Sequence, residues 1–277
     1  MQENRSITGG VTSSPAPESR PDTSTEVRQP LRRRRGLRIL AMVLGLMLLA
    51  VALAAVVWTL ARSTDSQREA YGPTVDQIVV EGINGSVTFE AGASGEVTVE
   101  REWLFTNAPE VEIVESEGVL RITADCGSLC RTHVSGTAPA RTGIVVRTEA
   151  GSIDIAGLNG GVDLTTSAGS VTVTDISGPA NLRTDAGWIR GSIADGDVDA
   201  HTSAGGIDLE VSGPFSRVSA ITDAGSVRLG VPDDVYRVEA ETSLGSTRVD
   251  VPTDPDAARV IVARSNAGNV AVELLTR

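Results

Sequence analysis

Thr166-Ser167-Ala168-Gly169-Ser170-Val171 decides the fold, because the chain writes versions of it seven times. It occurs first as Thr148-Glu149-Ala150-Gly151-Ser152-Ile153, and after Val171 as Thr184-Asp185-Ala186-Gly187-Trp188-Ile189 and Thr202-Ser203-Ala204-Gly205-Gly206-Ile207. Thr222-Asp223-Ala224-Gly225-Ser226-Val227, Thr242-Ser243-Leu244-Gly245-Ser246-Thr247 and Ser265-Asn266-Ala267-Gly268-Asn269-Val270 complete the series. The glycines stand 18, 18, 18, 20, 20 and 23 residues apart. A period near 20 is the mark of stacked repeats, each burying its apolar face against its neighbours.

Both flanks of each turn alternate. Val162-x-Leu164-x-Thr166 and Val198-x-Ala200-x-Thr202 lead in; Ile153-x-Ile155, Val171-x-Val173 and Val227-x-Leu229 lead out. Period two aims one face inward. Asp163, Asn181, Asp199, Ser219 and Glu239 are therefore expected outside on the first strand. On the second, the outward set is Asp154, Thr172, Arg190, Asp208, Arg228 and Arg248. Gly151, Gly169, Gly187, Gly205, Gly225, Gly245 and Gly268 are expected to form the turns by taking a positive φ. The Ser, Asp or Asn at the second position of the unit is expected to bond its local backbone. The threonine column predicts a hydroxyl ladder. Together these features predict an all-β, single-stranded parallel β-helix, regular over residues 144–272. Seven coils at ~4.8 Å each give a rod of roughly 30–35 Å. The irregular Pro252–Ser265 repeat and the 100–140 region are the expected end caps.

Before the regular repeats, residues 76–143 read as short strands in a less regular style. They carry the chain's two cysteines, in Cys126-Gly127-Ser128-Leu129-Cys130, and one of its two histidines, His133. Outside a membrane, two such close cysteines are expected to form a disulfide. Zinc would need two ligands beyond the cysteine pair, and His133 is the only nearby imidazole.

Toward the N-terminus, Ile39–Leu60 runs 22 residues without a charge. As a helix it would be ~33 Å long, against a hydrocarbon core of ~30 Å. Arg32-Arg33-Arg34-Arg35 and Arg38 precede it, whereas Asp65 and Glu69 follow it. The positive-inside rule then sets residues 1–35 as a disordered cytoplasmic tail, 37–61 as a transmembrane signal-anchor, 62–75 as a linker, and 76–277 outside the plasma membrane. A cleaved signal peptide is the alternative, with Ala52-Leu53-Ala54 as its cleavage site.

The T-x-x-G-[SD]-[VI] series from Thr148 to Val270, the cysteine pair before it and the apolar anchor resemble a family of bacterial membrane-anchored "putative adhesin" domains. The resemblance covers roughly residues 76–277. It implies a β-helix fold and carries no catalytic residues over.

Charge narrows the function. Residues 1–62 carry nine arginines against four acids, and residues 63–277 carry fifteen against 32, a net charge of −17. So acidic a surface is unsuited to nucleic acid. Neither histidine, His133 nor His201, stands in a recognisable nucleophile–base pattern. Asp195-x-Asp197-x-Asp199 does not follow a calcium-loop spacing. No cofactor or metal is expected. The sequence reads as a non-catalytic adhesion, interaction or scaffold module of the cell envelope, with the membrane and an envelope or protein component as partners. A regulatory envelope-stress protein is the alternative, and a carbohydrate-active enzyme the third reading.

Overall fold

The computed structural model describes residues 32–72, 74–104, 108, 110–125 and 130–275. The chain forms two units, Met1–Ala54 and Ala55–Arg277. Helix α1 (Arg32–Ala61) contains an apolar stretch, Ile39–Val56, with mean hydropathy 2.9. It is the single helix among the described residues long and apolar enough to cross a membrane. The tail expected over residues 1–35 lies outside the described residues as far as residue 31, and α1 begins at Arg32.

Strands then follow: β1 (Arg62–Tyr71), β2 (Gln77–Asn84), β3 (Val87–Ala91), β4 (Gly95–Leu104), β5 (Glu110–Ser116), β6 (Val119–Asp125) and β7 (Cys130–Ala138). The repeats supply β8 (Gly143–Ala150), β9 (Ile153–Ala156), β10 (Val162–Ala168), β11 (Val171–Ser177), β12 (Ala180–Ala186), β13 (Ile189–Asp195), β14 (Val198–Ala204) and β15 (Ile207–Val211). The last are β16 (Arg217–Ala224), β17 (Val227–Val231), β18 (Arg237–Leu244), β19 (Thr247–Val249), β20 (Val260–Ala267) and β21 (Val270–Leu274). Sheet I has 11 strands in the order β1-β4-β7-β3-β9-β11-β13-β15-β17-β21-β19. Sheet II has 10, in the order β18-β20-β16-β14-β12-β10-β8-β2-β6-β5. Among the described residues the protein is thus all-β beyond one apolar helix.

The inward residues of both sheets form one core. Leu164, Leu182, Ala200 and Ala220 from sheet II, with Val173, Leu209 and Leu229 from sheet I, are all fully buried. Small aliphatic side chains suffice because the space between the sheets is narrow, which accounts for the 3% aromatic content. Pairing is parallel from β8 onward, at an offset of 18 residues from β8 to β14 and 20 from β14 to β16.

The turns differ in detail from expectation. Between neighbouring turns, Gly169 N donates to Ala186 O and Val171 N to Trp188 O, so the ladder skips the carbonyl of Gly187. Thr202 Oγ1 donates to it at 3.1 Å. Thr166, Thr184 and Thr222 do the same for Gly151, Gly169 and Gly205 at 3.1, 2.8 and 2.8 Å. The threonine column is therefore not a hydroxyl ladder; each hydroxyl satisfies a carbonyl the backbone leaves over. Nor do the polar neighbours bond locally in the expected way: Asn266 Nδ2 reaches Asp223 of the adjacent turn at 2.9 Å. Thr184→Val, which keeps shape but deletes the donor, should lower stability by about 1 kcal/mol in denaturant titration.

At both ends the order in space departs from the order in sequence. β16 pairs with β20, not β18, and β17 with β21, not β19. The hydroxyls follow: Ser265 donates to Gly225 at 2.8 Å and Thr242 to Gly268 at 2.7 Å. The irregular final repeat is therefore no cap; it lies inside, and β18–β19 lies at the edge. Its long lead-in, Asp250–Arg259, is the length needed to step back past one strand. Likewise β2 and β3 lie between β8–β9 and β6–β7. Antiparallel strands finish that end, with β4 on β7, β1 on β4 and β5 on β6, so the sheets are mixed.

The segment 62–75, expected as a linker, contains β1, which pairs with β4 along its whole length, Arg62↔Leu104 to Tyr71↔Gly95. The Tyr71 ring fills the space above Gly95, where a Cβ would lie 2.2 Å from the ring, and its hydroxyl donates to Thr137 O at 2.6 Å. Burial pushes the Tyr71 phenol up to about 12. The unfolded chain loses this proton near pH 10, so the contribution is complete below that and lost as pH rises toward 12. Alkaline denaturation should therefore be shallower between pH 10 and 12 in Tyr71→Phe than in the parent.

Candidate functional site

Sheet II carries a groove of about 570 Å³ on its outer side, crossing the first residues of β2, β8, β10, β12, β14 and β16. Its floor is small or apolar: Val145, Gly161, Pro179 and Ala180. Gly161 and Pro179 stand just before β10 and β12, where glycine or proline replaces bulk.

One polar column follows from the register. Val145, Asp163, Asn181, Asp199 and Ser219 are successive partners on β8, β10, β12, β14 and β16. Asp163 is tied down: Asn181 Nδ2 donates to it at 3.1 Å and Arg147 Nη2 at 3.4 Å. Asp197, at the mouth of β14, accepts the Ser216 and Arg217 amides at 2.7 and 2.9 Å, holding the turn before β16. Asp199 is exposed and has no such partner among the described residues. Asp163 and Asp199 lie two strand spacings apart, roughly 10 Å. Ser219, expected outside, is buried in the groove wall. The arrangement offers hydrogen-bond acceptors at regular intervals along the stacking direction, suited to a long polar ligand.

The remaining residues singled out in the sequence have structural surroundings. A Cβ on Gly151, Gly169, Gly187, Gly205, Gly225, Gly245 or Gly268 would lie 1.8 to 2.1 Å from the carbonyl of the adjacent turn's glycine. All but Gly187 also have φ between +137° and +155°. Close stacking, more than the φ alone, excludes side chains there. Cys130 is disulfide-bonded, and Cys126 lies outside the described residues. His133 Nδ1 accepts from the Ser86 amide at 3.2 Å and lies 2.8 Å from Ser86 Oγ. The pair ties the turn before β3 to β7, much as Asn269 Oδ1 accepts the Ser246 amide and hydroxyl, both at 3.0 Å. His201 lies half-buried on the outer face of β14. Trp188 lies over Gly206 with the Arg190 guanidinium 4.4 Å from its ring centroid. Glycine at 206, where four other copies have serine, leaves room for that ring. No group of three or more metal-ligating side chains occurs among the described residues.

The sequence aligned Asp163, Asn181, Asp199 and Ser219 in one outward column but did not show a groove there, because Gly161 and Pro179, which line it, belong to the lead-ins between repeats. The signal available was the spacing of Asp163, Asn181 and Asp199 at 18 residues.

Neither a family model nor a curated protein matches the chain. Solved structures similar to it include a "putative adhesin" from Bacteroides fragilis, at 13% identity and TM-score 0.47, covering 77% of this chain and 97% of that one. Another, from Parabacteroides distasonis, has 16% identity and TM-score 0.41 over 77% and 97% of the two chains. A "putative cell adhesion protein" from Clostridium sporogenes has 8% identity and TM-score 0.37, covering 77% and 100%.

Proposed function

We propose that the chain is a membrane-anchored β-helix displayed outside the plasma membrane, acting without catalysis as an adhesion or interaction module of the cell envelope. The β-helix reading draws support from the alternation of consecutive strands between sheets I and II at a near-constant offset. Anchoring draws on the length and hydropathy of Ile39–Val56, and sidedness on the five arginines before it.

The observation that carries the function is the groove, which runs across strands rather than into the fold. A pocket for a small substrate is enclosed and apolar, with a few convergent polar groups. This one is open and repetitive, and its carboxylates Asp163 and Asp197 are already bonded to the protein. The ligand class it suits is an extended polymer rich in hydroxyl or amino groups, such as an envelope glycan.

The test is binding of the full chain in detergent to purified envelope glycan, compared with Asp163→Ala/Asp199→Ala. Both are surface carboxylates, so stability should change little. Retention of the parent, with loss of about tenfold or more in the variant, supports the reading. Equal retention of both chains, or release of new reducing ends from the glycan, contradicts it.

A further inference from the structure

The two ends of the sheets are finished differently. At one, antiparallel β1, β4 and β5 lie outside the parallel strands; at the other, β18 and β19 have one neighbour each, β20 and β21. These edge strands are consecutive in the chain, joined by the Leu244–Thr247 turn. Arg237 N donates to Arg259 O beside β20. Alternate residues of a strand turn their backbone groups the opposite way, so Val238, Ala240 and Thr242 direct theirs to the free side. A long open edge of this kind is a template for another strand.

Three further features mark this edge. Val238 and Ala240 are partly exposed, whereas their counterparts two strands in, Val218 and Ala220, are fully buried. Leu244 stands in a column that is alanine in every other repeat, Ala150, Ala168, Ala186, Ala204, Ala224 and Ala267, and it is 72% exposed. Val235, just before β18, is 46% exposed. A large apolar side chain introduced only at the open end is what a contact surface requires.

The charges choose the occupant. β18 shows Arg237, Glu239 and Glu241 on its outer face. Arg264 of β20 bonds Glu239 at 3.1 Å and lies 3.6 Å from Glu241. Arg237 has no ion pair among the described residues. A strand with a cation at its start and anions toward its end matches itself best when antiparallel: Arg237 faces Glu241 of the other strand twice, Val238 faces Ala240, and Glu239, paired with Arg264 of its own chain, meets its copy on the axis. A two-fold axis perpendicular to sheet II at Glu239 brings β18 to β18 and continues that sheet. That is the isologous geometry of a symmetric dimer.

We propose that the β18–β19 edge is the surface through which two copies of this chain associate head to head. The proposal does not depend on the glycan reading, which concerns a different face.

The test uses the full chain in detergent, with mass measured by light scattering and sedimentation equilibrium. Ala240→Pro removes an amide that faces the free edge and none that bonds β20. Arg237→Glu and Glu241→Arg each place like charges across the two-fold. The parent should be dimeric. Ala240→Pro should be monomeric with an unchanged circular dichroism spectrum, and each charge variant should weaken association about tenfold or more. Mixing the two charge variants should restore a heterodimer, which no folding defect could imitate. A monomeric parent, a dimer indifferent to Ala240→Pro, or a mixture no tighter than its components would overturn the proposal. So would an edge that captures an extended peptide from another protein while the parent stays monomeric.

Discussion

Replacing Gly205 by valine should destabilise the strand region by about 3–5 kcal/mol, enough to shift its denaturation midpoint out of the parent's range. A Cβ at Gly205 would lie 1.8 Å from the Gly187 carbonyl oxygen, and the residue holds φ at +150°, where a branched side chain is strained. Relief would require the two turns to separate. That would break the Thr202–Gly187 bond and pull Gly225, stacked on Gly205 with a Cβ position 1.9 Å from its oxygen, out of line as well. Ala204→Ser, one residue earlier and exposed, should change stability by no more than about 0.5 kcal/mol. Strand circular dichroism followed through guanidinium titration measures both. Equal behaviour of the two variants would mean that the turns do not stack as described.

Tyr236→Ala should cost about 3–5 kcal/mol and act mainly on the last strands. Tyr236 is fully buried, stacks flat on Phe215 at 5.6 Å between centroids, and donates its hydroxyl to Pro232 O at 2.9 Å. It sits where the chain leaves β17, passes over the place that β21 takes, and starts β18. The Asp234–Arg259 ion pair and the Asp254 amide bond to Tyr236 O tie the outgoing loop to the returning one. Without the ring, both loops lose their common anchor. Limited proteolysis should then cut within residues 232–259 of the alanine variant before the parent is touched. Tyr236→Phe keeps the stack and should lose only about 1 kcal/mol. Cleavage beginning elsewhere would contradict this role.

Much of the strand layout could be read directly from residues. The alternation around Val162-x-Leu164 and Ile207-x-Leu209 located inward faces that the structure buries fully or nearly so. The recurring threonine also marked positions that share a register. The order of strands at the two ends could not be read that way. Val238-x-Ala240 fits beside Val218-x-Ala220 as well as Ile261-x-Ala263 does, so the side-chain pattern is indifferent to which strand intervenes. Only connection length discriminates, and the 23-residue interval between Gly245 and Gly268 was its trace. β1 was missed for a different reason. Arg62–Tyr71 is an edge strand whose described side chains are mostly exposed, so it has no apolar period to detect, and ten backbone pairings with β4 hold it instead. The groove escaped because Gly161 and Pro179, which line it beside the regular column, belong to the lead-ins, where the repeat is least regular.

The proposed function rests on display of the strands outside the membrane. The direct measurement is cysteine labelling in intact cells with a membrane-impermeant maleimide, using the full chain with Asp185→Cys, at the exposed end of β12, or Ser24→Cys, before the arginine cluster. Labelling of the cysteine at 185 in intact cells, and of that at 24 only after lysis, is the predicted result. The reverse pattern would contradict surface display and with it the proposed function.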